Sequence, residues 1–138
     1  MRELSDLPDW AQHLIEEARV AHLGLLDEDG HPRVQPITFA RVGGSLFLAI
    51  DDKPKRRTPA RIERLRSDPR ATVTIDRYDD DWTQLAWVQV LATATVHDTH
   101  DAAMQALRNR YEAYRLKAPP GPLIEFTPVR VLCWRAGG

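Results

Sequence analysis

The sequence has 138 residues and a mass of 15.7 kDa, and its 43% hydrophobic and 28% charged side chains exclude a disordered or collagen-like chain. Lysine and arginine number 19 against 20 acidic residues, so the net charge of -1 provides no general attraction to nucleic acid or to a membrane surface. One cysteine, Cys133, excludes an intrachain disulfide and suits a reducing compartment. Because no apolar run matches a membrane span or a signal peptide, we expect a cytoplasmic protein.

The first part of the chain predicts one helix and three strands. Apolar residues recur at helical spacing after a proline, then alternate with polar residues on both sides of an Asp-Gly turn signal and again after a Gly-Gly turn. The predicted elements are a helix over residues 8–18 and strands over residues 21–26, 34–39 and 46–50. We expect these strands to form a sequential antiparallel meander.

The rest of the chain predicts two more helices and three more strands. Thr-Pro and Asp-Pro pairs begin and end the first of these helices, and a Pro-Pro-Gly-Pro stretch follows the second. The predicted elements are helices over residues 58–68 and 101–114 and strands over residues 71–76, 86–97 and 129–134. The whole chain, residues 1–138, is therefore predicted to be a single β-rich α+β domain. It would hold an antiparallel barrel with about three short covering helices.

A cationic segment between the strand that ends at Ile50 and the helix that follows is the most informative part of the sequence. A helix N-terminus offers unpaired N–H groups, and neighbouring cations and a hydroxyl would complete a phosphate site. The groups that would do so are Lys55, Arg56, Arg57 and Thr58. The alternative is a solvated basic loop whose charges balance Asp51, Asp52 and Glu63.

Aromatic residues form a second signal in the later strands, at Tyr78, Trp82, Trp87 and Trp134. Flat rings suit a flat ligand, although filling a small core or a dimer interface is the commoner role of tryptophan. Trp82 is the exception, because it follows three aspartates in a polar connection where a structural tryptophan is less expected.

The sequence gives little indication of a side chain that acts as a catalytic nucleophile, acid or base. Cys133 lies in an apolar strand, the serines lack a nucleophile-elbow context, and no dinucleotide or P-loop motif occurs. His97 and His100 have a spacing compatible with a metal, but a solvated pair is the favoured interpretation, so we predict no metal site. A phosphate site and aromatic surfaces without an acid, base or nucleophile indicate an enzyme whose cofactor performs the redox step.

Several short motifs occur in an informative order over roughly residues 10–98. The most specific is Lys53-Pro54-Lys55-Arg56, followed by a short helix and Ser67-Asp68-Pro69-Arg70-Ala71. The others are Asp29-Gly30-His31-Pro32-Arg33-Val34-Gln35-Pro36-Ile37, residues 46–50 and Asp80-Asp81-Trp82. This order resembles the pyridoxamine 5'-phosphate oxidase-like superfamily, and more narrowly its coenzyme F420-dependent members of actinobacterial type.

The resemblance implies a homodimer of FMN-binding split β-barrels with a flavin or deazaflavin in a groove at the subunit interface. The cofactor-binding residues it implies are Gln35, Pro36, Ile37 and Thr38 beside the ring, Ile50 and Asp51 on the next strand, Lys55, Arg56, Arg57 and Thr58 around the phosphate, Lys53 in the same groove, and Trp82 near the ring. The carboxy terminus lacks a recognisable motif for a substrate phosphate, so vitamin B6 oxidation is not expected.

The number of cations favours coenzyme F420, which carries a polyglutamate tail as well as a phosphate. The cations are Lys53, Lys55, Arg56, Arg57, Arg61 and Arg64, more than one FMN phosphate needs. We therefore expect reduced F420 to transfer hydride to an unsaturated small organic substrate. The alternatives are an FMN-dependent oxidoreductase of the same fold and a non-catalytic flavin or deazaflavin carrier or sensor.

Overall fold

One antiparallel sheet organises the chain. The computed structural model describes residues 1–50 and 60–138. Its strands are β1 (Ala21–Leu26), β2 (Pro32–Ile37), β3 (Ala40–Val42), β4 (Ser45–Ala49), β5 (Arg70–Arg77), β6 (Ala86–His97) and β7 (Leu123–Arg135). Its α-helices are α1 (Asp9–Glu17), α2 (Ala60–Ser67), α3 (Asp101–Arg110) and α4 (Glu112–Leu116), and short 3-10 helices cover Leu4–Asp6 and Trp82–Gln84.

The strand order forces this sheet to curl. The order is β2-β1-β5-β6-β7-β4-β3, so β2 and β3 stand at opposite ends of the sheet. A flat sheet would separate its two end strands by six spacings, about 29 Å. Only Thr38 and Phe39 connect β2 to β3, and the three steps from Ile37 to Ala40 span at most about 11 Å. The two edges must therefore approach each other, which gives the predicted split barrel.

The inward face of the curled sheet forms the main core. Cross-strand neighbours Leu23, Val73, Val90 and Val131 are at most 1% exposed. Apolar residues of α1 and α2 pack into the same core, among them Leu14, Ile15, Ile62 and Leu65. The alternation that places these strand residues inside places their neighbours outside, as the period of two requires.

A second, smaller core lies between the α3–α4 pair and β3, β4 and the start of β7. Its members include Phe47, Ala103, Leu107, Tyr114 and Leu123. The α3–α4 pair therefore covers only the part of the sheet formed by β3, β4 and the start of β7. No helix in the described ranges is long and apolar enough to cross a bilayer.

The outward face of β2, β1, β5, β6 and β7 presents aligned rows of side chains. One row consists of Pro36, His22, Thr74, Gln89 and Leu132, and the next of Asp76, Trp87 and Trp134. Val34, Trp87 and Trp134 are 68%, 36% and 45% exposed. We call this surface the outer sheet face.

The sequence expectations for the fold are confirmed in class and corrected in three details. The meander is wrong: β4 pairs with β3 and β7, because the short β3, which was not predicted, stands between β2 and β4 in the chain. The single helix over residues 101–114 is divided at Tyr111, which has extended backbone angles, so the described residues form four α-helices. The last strand begins at Leu123 rather than 129, since Pro128 lies where a bulge in the β6–β7 ladder tolerates proline.

Arg110 fastens the α3–α4 pair to the rest of the molecule. Its guanidinium donates to the carbonyl oxygens of Glu16 at 2.8 Å, Ile15 at 3.2 Å and Ala18, at the C-terminal end of α1. It also lies over the ring of Phe39, 4.8 Å from the centroid. A planar cation with several donors thus satisfies the carbonyls that a helix end leaves unpaired.

Replacing Arg110 with lysine should lower the free energy of unfolding by on the order of 2 kcal/mol, because lysine keeps the charge but cannot reach several carbonyls at once. Chemical denaturation of both proteins measures the difference. Arg115→Lys is the matched control, since Arg115 is exposed and donates only to the carbonyls of Arg108 and Asn109. Equal losses in the two variants would contradict the role assigned to Arg110.

Candidate functional site

The candidate site is built around the edge strand β2. Gln35 and Ile37 pair with Leu23 and Ala21 and belong to the inward side, whereas Pro36 pairs with His22 on the outer sheet face. The predicted ring-binding side chains therefore alternate between two faces. What they share is one strand edge whose peptide groups have no partner strand among the described residues. Such an edge can hydrogen-bond the polar rim of a flat ligand.

The first turn of α2 lies against this strand. The Arg61 guanidinium donates to the side-chain oxygen of Gln35, with 2.6 Å between Nη2 and Oε1. Ile62 and Leu65, which are 1% and 3% exposed, fix the helix in the main core. The helix that follows the predicted phosphate segment therefore begins beside the predicted ring-binding strand. The sequence placed Arg61 only among the surplus cations, so its contact with Gln35 was missed.

Ile50 and Ile37 both lie in the main core, 4% and 5% exposed. The Ile50 N–H donates to the carbonyl of Pro122 at 2.9 Å, and the N–H of Gly121 donates to the carbonyl of Ile50 at 3.1 Å. These bonds extend the pairing of β4 with the start of β7 by one step. Both isoleucines would therefore support the wall of a site from behind.

Thr38 begins the connection between the two sheet edges. Its hydroxyl oxygen lies 3.0 Å from the hydroxyl oxygen of Tyr114 on α4. The next residue, Phe39, donates its N–H to the hydroxyl of Tyr111 at 3.1 Å. Neither tyrosine was predicted at the site, because the sequence predicted only that both lie in a helix over residues 101–114.

The other predicted site residues fall into two groups. Six lie outside the described residues: Asp51, Lys53, Lys55, Arg56, Arg57 and Thr58. Trp82 is described, and its side chain is 68% exposed on a short 3-10 helix. The Asp81 carboxylate accepts hydrogen bonds from the N–H and hydroxyl of Thr83, which orders this turn. The described part of one chain shows no hydrogen bond or ring contact between Trp82 and residues 35–38.

A polar cluster lies between the second core and β7. Glu125 accepts hydrogen bonds from the Ser45 hydroxyl at 2.7 Å and pairs with Nε2 of His97 at 2.8 Å. His100 caps α3, because its Nδ1 accepts from the N–H of Ala103 at 3.1 Å. Burial favours a higher pKa for the Glu125 carboxyl, but the bonds from Ser45 and His97 and the charges of His97 and His100 outweigh it and lower the pKa.

The two histidines thus have protein partners, in place of the solvated arrangement favoured from the sequence. Within residues 1–50 and 60–138, no group of three or more histidine, cysteine, aspartate or glutamate side chains is close enough to hold a metal ion. The His100 ring lies 4.6 Å from the Phe47 ring, between centroids, so this cap of α3 also contacts β4.

The family of the chain follows from a match over nearly its whole length. The family model for pyridoxamine 5'-phosphate oxidase matches residues 7–135, so the chain belongs to this family. The resemblance inferred from the motif order is confirmed at this level. A search of curated proteins found no match.

The chain shares its fold with solved structures of flavin-binding proteins and of heme-binding or heme storage proteins. A heme binding protein from Mycobacterium smegmatis is 20% identical with a TM-score of 0.73, over 96% of this chain and 56% of that one. A FAD-binding protein from Mesorhizobium loti is 19% identical with a TM-score of 0.68, over 92% and 94% of the two chains. The heme storage protein HutZ from Vibrio cholerae is 14% identical with a TM-score of 0.70, over 99% and 96%.

Glu125→Gln should destabilise the protein by on the order of 1 kcal/mol at neutral pH, where the folded state holds the carboxylate in its hydrogen bonds. Since the folded pKa is lowered, this contribution is complete above about pH 5 and is lost as the pH falls below the ordinary glutamate pKa of about 4.3. Urea titrations at pH 7 and pH 3.5 measure the difference between parent and variant. That difference should shrink in acid.

The exposed Glu28, in the β1–β2 turn, provides the matched control. Glu28→Gln should change stability by less than about 0.5 kcal/mol at either pH. A parent-to-Glu125→Gln difference that stays constant or grows at pH 3.5 would show that the Glu125 carboxylate is not favoured by folding.

Proposed function

We propose that the chain is a coenzyme F420-dependent oxidoreductase that uses the reduced deazaflavin to reduce an unsaturated small organic substrate. The observation that carries this proposal is the contact between Arg61 and Gln35, which joins the start of α2 to the edge strand. It supports a single site in which a ring lies along β2 and its anionic arm extends towards the cationic segment before α2. Membership of the family supports a ligand of the flavin type.

The chemistry of the described residues fits a flavin-like ring. Gln35 and Thr38 are half-buried and polar, and the free edge of β2 offers peptide groups, although Pro36 provides only its carbonyl. A flavin or deazaflavin has a polar pyrimidine end and an apolar end, so it can use both a peptide edge and an aromatic surface. Trp82, exposed on its short helix, would supply such a surface in the site of a second subunit.

Charge is the argument for the longer cofactor. Lys53, Lys55, Arg56 and Arg57 precede α2, and Arg64 follows Arg61 by one helical turn. Because Arg61 donates to Gln35, it belongs to the ring end of the site. The other cations still exceed what one phosphate requires, and a polyglutamate tail would use them.

The residues would bind and orient the cofactor and leave the redox step to it. When bound, F420 supplies a hydride at a ring carbon and reacts poorly with oxygen. Arg61 would hold the Gln35 amide in one orientation, and the edge of β2 would set the tilt of the ring. The lysines and arginines before α2 would hold the anionic arm and exclude water from the ring end.

The outer sheet face supports the proposal of a homodimer. Val34, Trp87 and Trp134 are exposed there, and Trp87 and Trp134 are direct cross-strand neighbours. Exposure of these rings to water does not stabilise a monomer, whereas burial of aromatic rings contributes much of the binding free energy at many interfaces. Because β2 belongs to the same face, a second copy seated on it would also border the candidate site.

Cofactor preference tests the proposed function. We expect the parent to bind long-tailed F420 more tightly than short-tailed F420 or FMN in calorimetric titrations. A Lys53→Ala/Arg64→Ala double variant should lose roughly two- to thirtyfold in affinity for the long-tailed form, since exposed ion pairs contribute about 0.2 to 1 kcal/mol each. Lys55→Ala or Arg57→Ala should weaken all three ligands at least about tenfold, because all three carry the phosphate.

The control for the double variant is Arg66→Ala/Lys117→Ala, which removes the same charge from exposed positions. It should retain the preference for the long tail. Tighter binding of FMN than of long-tailed F420 by the parent would replace the proposed cofactor with FMN. Binding of reduced F420 without its oxidation by a panel of enones and quinones would favour the carrier.

The homodimer is tested by one charge at the centre of the aromatic pair. The parent should sediment at twice 15.7 kDa at micromolar concentration, and Trp134→Glu should sediment as a monomer because a buried carboxylate without a partner is costly. Leu116→Glu is the control, since Leu116 is 82% exposed on α4, away from this face. A parent that is monomeric yet binds the cofactor tightly would contradict a shared site.

A further inference from the structure

The pair of hydroxyl groups on Thr38 and Tyr114 joins the candidate site to the second core. Their oxygen atoms are 3.0 Å apart, a distance at which the two hydroxyl groups form a hydrogen bond. Thr38 is half-buried and lies in the connection between the two sheet edges, whereas Tyr114 is only 8% exposed. The bond therefore links a residue beside the edge strand to a residue held in the interior.

Packing makes Tyr114 the fixed member of the pair. Its ring meets the ring of Tyr111 edge-on, with 5.7 Å between centroids and 75° between planes. It belongs to the second core, and its carbonyl accepts a hydrogen bond from the side chain of Arg108 at 3.0 Å. Thr38 has no regular secondary structure of its own. The tyrosine therefore sets the position of the threonine hydroxyl.

Tyr111 performs a different task on the same connection. Its hydroxyl accepts from the N–H of Phe39 at 3.1 Å, and its oxygen lies 2.9 Å from the carbonyl of Arg19. These bonds involve only main-chain groups of the connection and of the segment before β1. Tyr111 thus fastens the backbone, whereas Tyr114 bonds a side chain.

A threonine hydroxyl has one donor and two acceptor sites, so its bond to Tyr114 leaves it able to make another. The rim of a flavin-type ring carries carbonyl oxygens and ring nitrogens that accept hydrogen bonds. We propose that Tyr114 is a positioning residue that orients the Thr38 hydroxyl as a hydrogen-bond donor to the rim of the bound ring. This inference rests on the proposed function, because it needs a flavin or deazaflavin along β2.

The test compares variants that remove one hydroxyl at a time. Tyr114→Phe and Thr38→Val should each weaken binding of F420, or of FMN if the parent prefers it, by roughly three- to tenfold. Each should also shift the absorption maximum of the bound ring in the same direction, because the ring loses the same donor. The double variant should bind about as well as the weaker single variant, and Thr38→Ser should restore parent affinity and spectrum.

Tyr111→Phe is the matched control, because it removes a hydroxyl three residues away whose partners are main-chain groups of Phe39 and Arg19 and the Arg110 side chain, rather than the Thr38 hydroxyl. It should lower the midpoint of thermal unfolding and leave the spectrum of the bound ring unchanged. Parent-like affinity and spectrum in Tyr114→Phe, or additive losses in the double variant, would overturn the inference while the proposed function stands. A parent that binds neither cofactor would overturn the proposed function, and this inference with it.

Discussion

The two-residue connection between β2 and β3 is the constraint on which the rest of the structure depends. Because Thr38 and Phe39 must join strands at opposite ends of the sheet order, the sheet has to curl around its inward residues. Curling buries the row that includes Leu23 and Val73 and turns the other row outwards. Closure costs conformational entropy at the connection, and the bonds from Tyr111 and the stacking of Arg110 on Phe39 offset that cost.

The same closure gives the candidate site its walls. Two side-chain contacts made by helices hold the C-terminal part of the edge strand β2. Gln35 contacts Arg61 of α2, and Thr38, just after the strand, contacts Tyr114 of α4. Each helix is anchored in a different core, α2 in the main core and α4 in the smaller one. Both cores therefore position the C-terminal part of this strand edge. A site of this kind holds a rigid ligand in one orientation, as a cofactor-dependent reaction requires.

Sequence patterns predicted the individual helices and strands better than the contacts between them. The alternation over residues 86–97 matches β6 in full, and the prolines and caps located α2, because both signals act within a few residues. The partner of β4 was wrong because it was inferred from neighbourhood in sequence, and the break at Tyr111 depends on contacts with Phe39 and Arg19. The motif order located β2 and α2, but the Arg61–Gln35 and Tyr114–Thr38 contacts join residues 26 and 76 positions apart. Periodicity contains no information about such pairs.

The neighbours of this fold include a FAD-binding protein and heme-binding proteins, and the two kinds of ligand have a common form. Both are flat conjugated rings with flexible anionic arms. A strand edge beside an aromatic surface can receive either ring, so the fold alone does not select between them. Selection falls to the groups around the ring and along the arm. In this chain Gln35 and Thr38 flank the edge, Arg61 borders it, and further cations lie before and after Arg61 in the sequence. The proposed function assigns the polar edge to the ring and the cations before Arg61 in the sequence to the arm, and a ligand whose charge is concentrated in a long tail would use both.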